Sequence, residues 1–316
     1  MTFRHDRYLA DDFYQLSEVL QVWETQPVQL SPGPLNLCLE TMTSTRVTLL
    51  KLSLSPRVAD RAIVHEGSIG FVLVDRPQTW CGIEIDQPAI IIAQPGRETR
   101  SVLEANFSST EFYFPKTLIS AHALGSLLAD KLLDPEQAVF PVTKHDLNLL
   151  LSAVDTVNLW SRQTTLDVDS DTLNSAVASR LLDLLHSALE PYLTGPVGDN
   201  SALPYRKRIE LAHSALEVIE KIDVSNLSLP KVYKNLGVTS RAVEQAFNSV
   251  LGISPGQYLL AYRMNHAKKT IVELGSRVGE AATMAGFNDL GRFAHRYHAL
   301  FAELPSTTLK RRSIKP

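Results

Sequence analysis

The chain has 316 residues and a formal net charge of −3, with 44% hydrophobic and 21% charged residues. That length leaves room for two domains, and the composition is that of a folded globular chain, not a disordered or collagen-like one. No run reaches the roughly 18 apolar residues of a membrane span. Met1–Arg7 is charged without an apolar core, so no signal peptide is expected and a cytoplasmic location is.

Cys38 and Cys81 stand far apart with no histidine pair nearby, which predicts reduced thiols and no zinc site. The net charge conceals an asymmetry. Residues 203–316 hold 17 Lys and Arg against 9 Asp and Glu, while the other 202 residues hold 14 against 25. A basic last third on an acidic body predicts a polyanionic partner for that third.

Residues 1–30 predict a helix, because Phe13, Leu16, Leu20 and Trp23 stand near helical spacing. Pro27, Pro32 and Pro34 break it. From 35 to 115 the period changes. Leu35, Leu37 and Leu39 alternate with Asn36, Cys38 and Glu40, and β-rich runs follow at 69–74, 80–85, 89–93 and 110–114. Turn pairs such as Ser55-Pro56, Arg76-Pro77 and Pro95-Gly96 separate them, which predicts a sandwich or small barrel.

A small barrel has room for a ligand. A cupin-like metal enzyme would need clustered histidines and a carboxylate on neighbouring strands. Only His65-Glu66 occurs there, so no metal and no cofactor are expected. Arg57, Arg61, Arg97 and Arg100 read either as contacts for a small anion or as exposed loop arginines.

Residues 116–192 turn helical, with leucines at three- and four-residue spacing at 118–133, 145–160 and 173–192. Their wide apolar faces need cover, from the strands or from a second copy of the chain. The Gly- and Pro-containing stretch 194–204 reads as a linker. The expected domains are 1–193 and 205–316, with strands at about 35–115 and helices at about 116–192 in the first.

The last third carries one pattern twice. Leu229–Phe247 and Val278–Tyr297 each run an apolar-periodic helix into a glycine, a polar cap and a second helix ending on an aromatic. Phe247 lies eight residues before Pro255, as Tyr297 does before Pro305. These are the parts of a helix-turn-helix, duplicated at about 228–248 and 278–298. Ser228 and Pro230 start the first unit, Gly237 ends its first helix and Thr239 caps the next. That helix turns Val243, Ala246 and Phe247 inward and Arg241, Glu244, Gln245 and Asn248 outward, as side chains able to read base edges.

In the second unit Gly286-Phe287 makes the turn, Asn288 or Asp289 caps, and Arg292, His295 and Arg296 face outward. His295 has no nucleophile or carboxylate partner that would make it catalytic. Pro255 to about Val272 forms a connecting helix roughly 27 Å long, near the roughly 34 Å repeat of the major groove. Arg263, Lys268, Lys269 and the tail 310–315 are expected to meet phosphates.

Residues 206–312 resemble the DNA-binding domain of AraC/XylS-family transcription regulators. The resemblance lies in Leu251-Gly-Ile-Ser-Pro-Gly-Gln-Tyr-Leu259, Arg263-Met-Asn-His-Ala-Lys-Lys269 and Ala281-Ala-Thr-Met-Ala-Gly-Phe287. The segment Asn288–Ser306 is similar to the ethanolamine-utilisation-regulator branch. The fold class is then α+β: an N-terminal small β-barrel or sandwich, cupin-like, with helices, and a C-terminal all-α double helix-turn-helix domain.

The resemblance implies that Arg241, Glu244 and Gln245 read from the first unit and Gly291, Arg292 and His295 from the second. The full expected DNA-contacting set is Thr239, Ser240, Arg241, Glu244, Gln245, Lys268, Asn288, Gly291, Arg292, His295 and Arg296. Gly291 has no side chain, so the first unit is expected to specify and the second to anchor. Implied partners are promoter DNA, a second copy, RNA polymerase and a small-molecule effector, with no membrane. The alternatives are a small-molecule-binding or metal-dependent cupin-like enzyme, and a constitutive DNA-binding dimer that takes no ligand.

Overall fold

The computed structural model describes residues 3–15, 22–128, 138–162, 170–194 and 203–314. Two antiparallel sheets form its middle, with helices against both outer faces. The first sheet runs β1 (Arg4–Ala10), β4 (Leu37–Thr43), β5 (Thr48–Leu54), β12 (Phe107–Pro115), β7 (Ser68–Val74), β10 (Ala89–Ala93), β13 (Val139–Pro141). The second runs β2 (Trp23–Thr25), β6 (Val58–Val64), β11 (Glu98–Leu103), β8 (Gln78–Trp80), β9 (Ile83–Ile85), with β3 (Val28–Gln29) also on β6. Neither sheet closes on itself, so the sandwich expectation holds and the closed barrel does not.

The strands of the first sheet show why it sits inside. In β7, Ile69, Phe71 and Leu73 face one way, Val72 and Val74 the other, and all are buried. β10 and β12 repeat this with Ile90, Ile92, Phe112 and Phe114 on one face and Ile91, Ala93 and Tyr113 on the other. A strand covered on both faces reads as a near-continuous apolar run. One cover is the second sheet. The other is α1 (Lys116–Ser120), α2 (Ala123–Leu128), α3 (Lys144–Arg162) and α4 (Ser170–Leu193). Leu150, Val154 and Val157 of α3 and Leu181, Leu185 and Leu189 of α4 pack on that face. The strands therefore cover the wide apolar faces of these helices.

The helical spacing at residues 1–30 is not realised where the chain is described. Arg4–Ala10 is a strand paired antiparallel with β4, with Tyr8 opposite Leu39. Phe13–Gln15 is a single 3-10 turn, and Trp23 pairs opposite Val64 on β6. Long-range pairing overrides the local period. Leu16 and Leu20, residues 129–133 of the expected helix at 118–133, and residues 195–202 of the expected linker lie outside the described residues.

The C-terminal helices are α5 (Leu203–Lys221), α6 (Leu229–Leu236), α7 (Ser240–Val250), α8 (Pro255–Lys269), α9 (Val278–Met284), α10 (Leu290–Phe301) and α11 (Pro305–Ile314). Helix α8 continues into a π-helical turn, Thr270–Leu274, which Gly275 ends in the left-handed conformation. Val28, Ala59 and Val102 of the second sheet share one core with Ile209, Ala212, Val243, Phe247 and Tyr258. One close approach is at Cys81-Gly82, the two-residue turn between β8 and β9. Both residues have positive φ, 48° and 85°, as a type I′ hairpin needs. A Cβ on Gly82 would stand 2.5 Å from Ile209 Cγ1, so only glycine fits.

Cys38 is half-buried, Cys81 is buried, and both are free. Among the described residues, no helix is long and apolar enough to cross a membrane.

Candidate nucleic-acid interface

The first helix-turn-helix is set by two capping devices. Gly237, at φ 65° and ψ 25°, ends α6 and donates its N–H to the Tyr233 carbonyl. Thr239 then starts α7, its hydroxyl accepting from the Ala242 amide at 3.3 Å. Ser228 precedes α6 in extended backbone but makes no side-chain cap bond. Val243, Ala246, Phe247 and Val250 are buried under α7. Thr239, Ser240, Arg241, Glu244 and Gln245 are exposed on its outer side.

The second unit repeats the geometry. Gly286, at φ 79°, makes the turn, and a Cβ there would press on the Ser225 carbonyl at 3.1 Å and the Arg263 guanidinium at 3.2 Å. Asp289, not Asn288, caps α10, accepting from the Arg292 amide at 2.9 Å. Phe293, Tyr297 and Phe301 fill the core below. Asn288, Gly291, Arg292, His295 and Arg296 are exposed. Arg292 lies 3.5 Å from the Asp289 carboxylate in an open surface pair, which water and salt weaken.

Lys268 is a correction. It is buried on the inner side of α8, its Nζ 3.2 Å from Glu303 Oε1 and 4.5 Å above the Phe301 ring. It also donates to the Asp11 carbonyl at 3.4 Å. Burial lowers its pKa, and Glu303 opposes that shift. The reason was in the sequence: Lys268 lies four residues after Met264 and three before Ile271, both buried on one stripe. It has no exposed ammonium to offer a phosphate. Arg263 is similarly occupied, donating to the Leu227 carbonyl at 2.5 Å. Lys269 is exposed.

Sequence reading missed the seam that joins the strands to these helices. Asn265 of α8 and Gln29 of β3 exchange two hydrogen bonds of 3.1 Å, although 236 residues separate them. Gln29 Nε2 also reaches the Leu300 carbonyl of α10 at 2.9 Å. Arg100 of β11 grips Glu220 of α5 with both nitrogens, at 2.7 and 3.1 Å. Arg311 bridges Glu303 at 2.8 Å and Asp11 at 2.9 Å. One signal was available: a buried asparagine, Asn265, four residues after Ala261 on the apolar stripe of α8.

The arginines left open as anion contacts are engaged. Arg57 pairs with Glu104, Arg61 with Glu98, and Arg100 with Glu98 and Glu220, while Arg97 donates to the Gln94 side chain. Among the described residues, no group of three or more His, Cys, Asp or Glu is placed to hold a metal.

Residues 233–311 match a protein-family model described as a helix-turn-helix domain. The chain is similar to the XylDLEGF operon transcriptional activator 1 of Pseudomonas putida, 27% identical over 142 residues, covering 44% of this chain and 40% of that protein. It is also similar to the probable thc operon regulatory protein of Rhodococcus erythropolis, 31% identical over 99 residues, 30% of each. The chain thus spans less than half the length of these relatives. A solved structure, a probable AraC family transcriptional regulator from Rhodopseudomonas palustris, is 30% identical, covering 33% of this chain and 97% of that one, with a TM-score of 0.30. Residues 233–311 are thus a helix-turn-helix domain, similar over that region to transcriptional regulators.

Proposed function

We propose that the chain is a cytoplasmic, sequence-specific DNA-binding transcription activator of the AraC/XylS type, near the ethanolamine-utilisation-regulator branch. The observation that carries this reading is the pair of capped helix-turn-helix units, each with an exposed polar outer helix face, tied by one continuous helix. With the π-helical turn included, that connector is roughly 30 Å long, close to the roughly 34 Å between successive major grooves. Helices α7 and α10 enter adjacent grooves on one side of the duplex. Thr239, Ser240, Arg241, Glu244 and Gln245 act in the first groove, and Asn288, Gly291, Arg292, His295 and Arg296 in the second.

Residues 1–193 form the regulatory domain, joined at 194–204 to the DNA-binding domain. This regulatory domain dimerises, responds to an effector and presents a surface to RNA polymerase. Leu149 and Leu159, 43% and 62% exposed on α3, support a second copy docking there. Hydroxyl-radical footprinting on DNA selected by the chain from a random pool tests the reading. Two protected patches one helical turn apart on one face are expected; a single patch contradicts two-groove binding.

A further inference from the structure

We infer that the N-terminal body braces the second helix-turn-helix unit against the first, with Gln29 as the positioning residue that sets the spacing at which the two units read one duplex. The inference rests on the two-groove reading above and names what fixes the distance between the two boxes. The first unit shares a core with the second sheet. The second unit is held to the body by hydrogen bonds, and these converge on Gln29.

Two chain ends with spare backbone groups meet there. Among the described residues β3 pairs only with β6, so its other edge turns the Gln29 N–H and C=O away from the sheet. The Asn265 carboxamide of α8 fills that edge like a rung of a further strand. Its Oδ1 accepts the Gln29 N–H and its Nδ2 donates to the Gln29 carbonyl, each at 3.1 Å. The Gln29 side chain, 1% exposed, reaches on to α10. There Nε2 donates to the Leu300 carbonyl at 2.9 Å, and the Gly33 N–H donates to the same oxygen at 3.0 Å. Leu300 is the next-to-last residue of α10, and the last four carbonyls of a helix have no partner within it. The body thus caps the C-terminal end of the second reading helix.

Asn265 stands where one core hands over to the other. Tyr258, Leu259 and Ala261 of α8 belong to the first unit's core, and Met264, Ala267 and Ile271 to the second's. Gln29 therefore grips the connecting helix at that junction and the far end of α10 at once. Two more contacts hold the same part of the chain. The Tyr14 hydroxyl donates to the Asn265 carbonyl at 2.9 Å, and Asp11 pairs with Arg311 of α11 at 2.9 Å. Adhesion alone would be served by apolar contacts, as under the first unit. A buried network of directional bonds fixes one orientation instead. Arg241, Gln245, Arg292 and His295 are exposed with all these bonds made. The brace therefore orients the units without masking them.

Two linked binding modules help each other only where geometry lets both engage. One base pair inserted between the boxes moves the second box by roughly 3.4 Å and turns it by roughly 35° about the duplex. A braced second unit does not follow that movement. An unbraced one, held by its own core on α8 alone, follows it more readily.

Affinity of the full chain for its selected DNA site, measured with and without one base pair inserted between the boxes, tests the proposal. Wild type should lose at least about 10-fold on the insertion. Gln29→Met, which keeps the side chain's length and removes its donor, should lose no more than about 3-fold, with the base preferences of each box unchanged. Asp11→Asn combined with Tyr14→Phe leaves Gln29 and both cores in place and should reduce the penalty by a smaller factor. This double variant decides the matter if thermal melting shows Gln29→Met unfolded. The wild-type penalty retained in the folded variants, or affinity lost equally at both spacings, overturns the brace. A wild type indifferent to the insertion overturns it as well. Specific binding with an unchanged penalty removes the brace alone; absent specific binding by wild type removes the regulator reading and the brace with it.

Discussion

The core under α7 runs without interruption into the second sheet through Val28, Ala59 and Val102, whereas the core under α10 contains no strand residue. The second unit meets the N-terminal region through polar contacts instead. Leu300 accepts from Gln29 and from the Gly33 amide at 3.0 Å, and Arg311 pairs with Asp11. Apolar burial stabilises in proportion to the area removed from water, while hydrogen bonds contribute about 0.5–1.5 kcal/mol each and exposed ion pairs less. The first unit is thus fused to the body and the second is tethered to it. Their exposed outer helix faces differ in the same sense. The first offers Arg241, Glu244 and Gln245; the second has Gly291 beside an arginine already drawn to Asp289.

The largest test of this difference is a pair of core truncations. Phe247→Ala and Phe293→Ala should each cost about 3–5 kcal/mol. Hydrogen exchange should then speed up in α7 and in strand β6 for Phe247→Ala, but only within residues 264–314 for Phe293→Ala. The same spread in both variants would erase the distinction between fused and tethered units.

Lys268→Met comes next. It leaves Glu303 with Arg311 as its cation and should lower stability by about 2–4 kcal/mol. The salt dependence of DNA affinity should stay as in wild type. A slope reduced by about one charge would return Lys268 to the phosphate-contacting set.

His213 of α5 marks the fused side. Burial, helped by the nearby Arg100 charge, pulls its imidazole down to about 4 from an ordinary value of 6.5. Between those values the unfolded chain binds a proton that the folded chain does not. Stability attributable to His213 is therefore complete above pH 6.5 and is lost as the pH falls towards 4, by up to about 3 kcal/mol. The gap between wild type and His213→Gln in chemical denaturation should follow that course; a gap independent of pH would contradict a buried neutral imidazole.

The helix-turn-helix units were legible because their signals are local. Gly237, Thr239, Gly286 and Asp289 each act within four residues of where they stand. The sandwich was legible from period-two alternation in Leu35–Glu40 and from closely spaced turns. The first thirty residues were not, since Arg4–Ala10 and Trp23–Thr25 become strands only by pairing with β4 and β6. Lys268 departs from the expectation for a charged residue because its neighbours at three and four residues, Ile271 and Met264, put it on the buried stripe. Asn265 on the apolar stripe of α8 was the one local sign of the seam; its pairings were not legible, as Gln29 and Asn265 or Arg100 and Glu220 meet from more than a hundred residues apart.

The central claim, that the first unit specifies and the second anchors, is tested most directly by selecting DNA sites with Arg241→Ala and Arg292→Ala. Arg241→Ala should lose about 1–3 kcal/mol on the preferred site and relax one base position. Arg292→Ala should weaken all sequences alike and lower the salt slope by about one. A relaxed base position in Arg292→Ala, with selection unchanged in Arg241→Ala, would contradict the account.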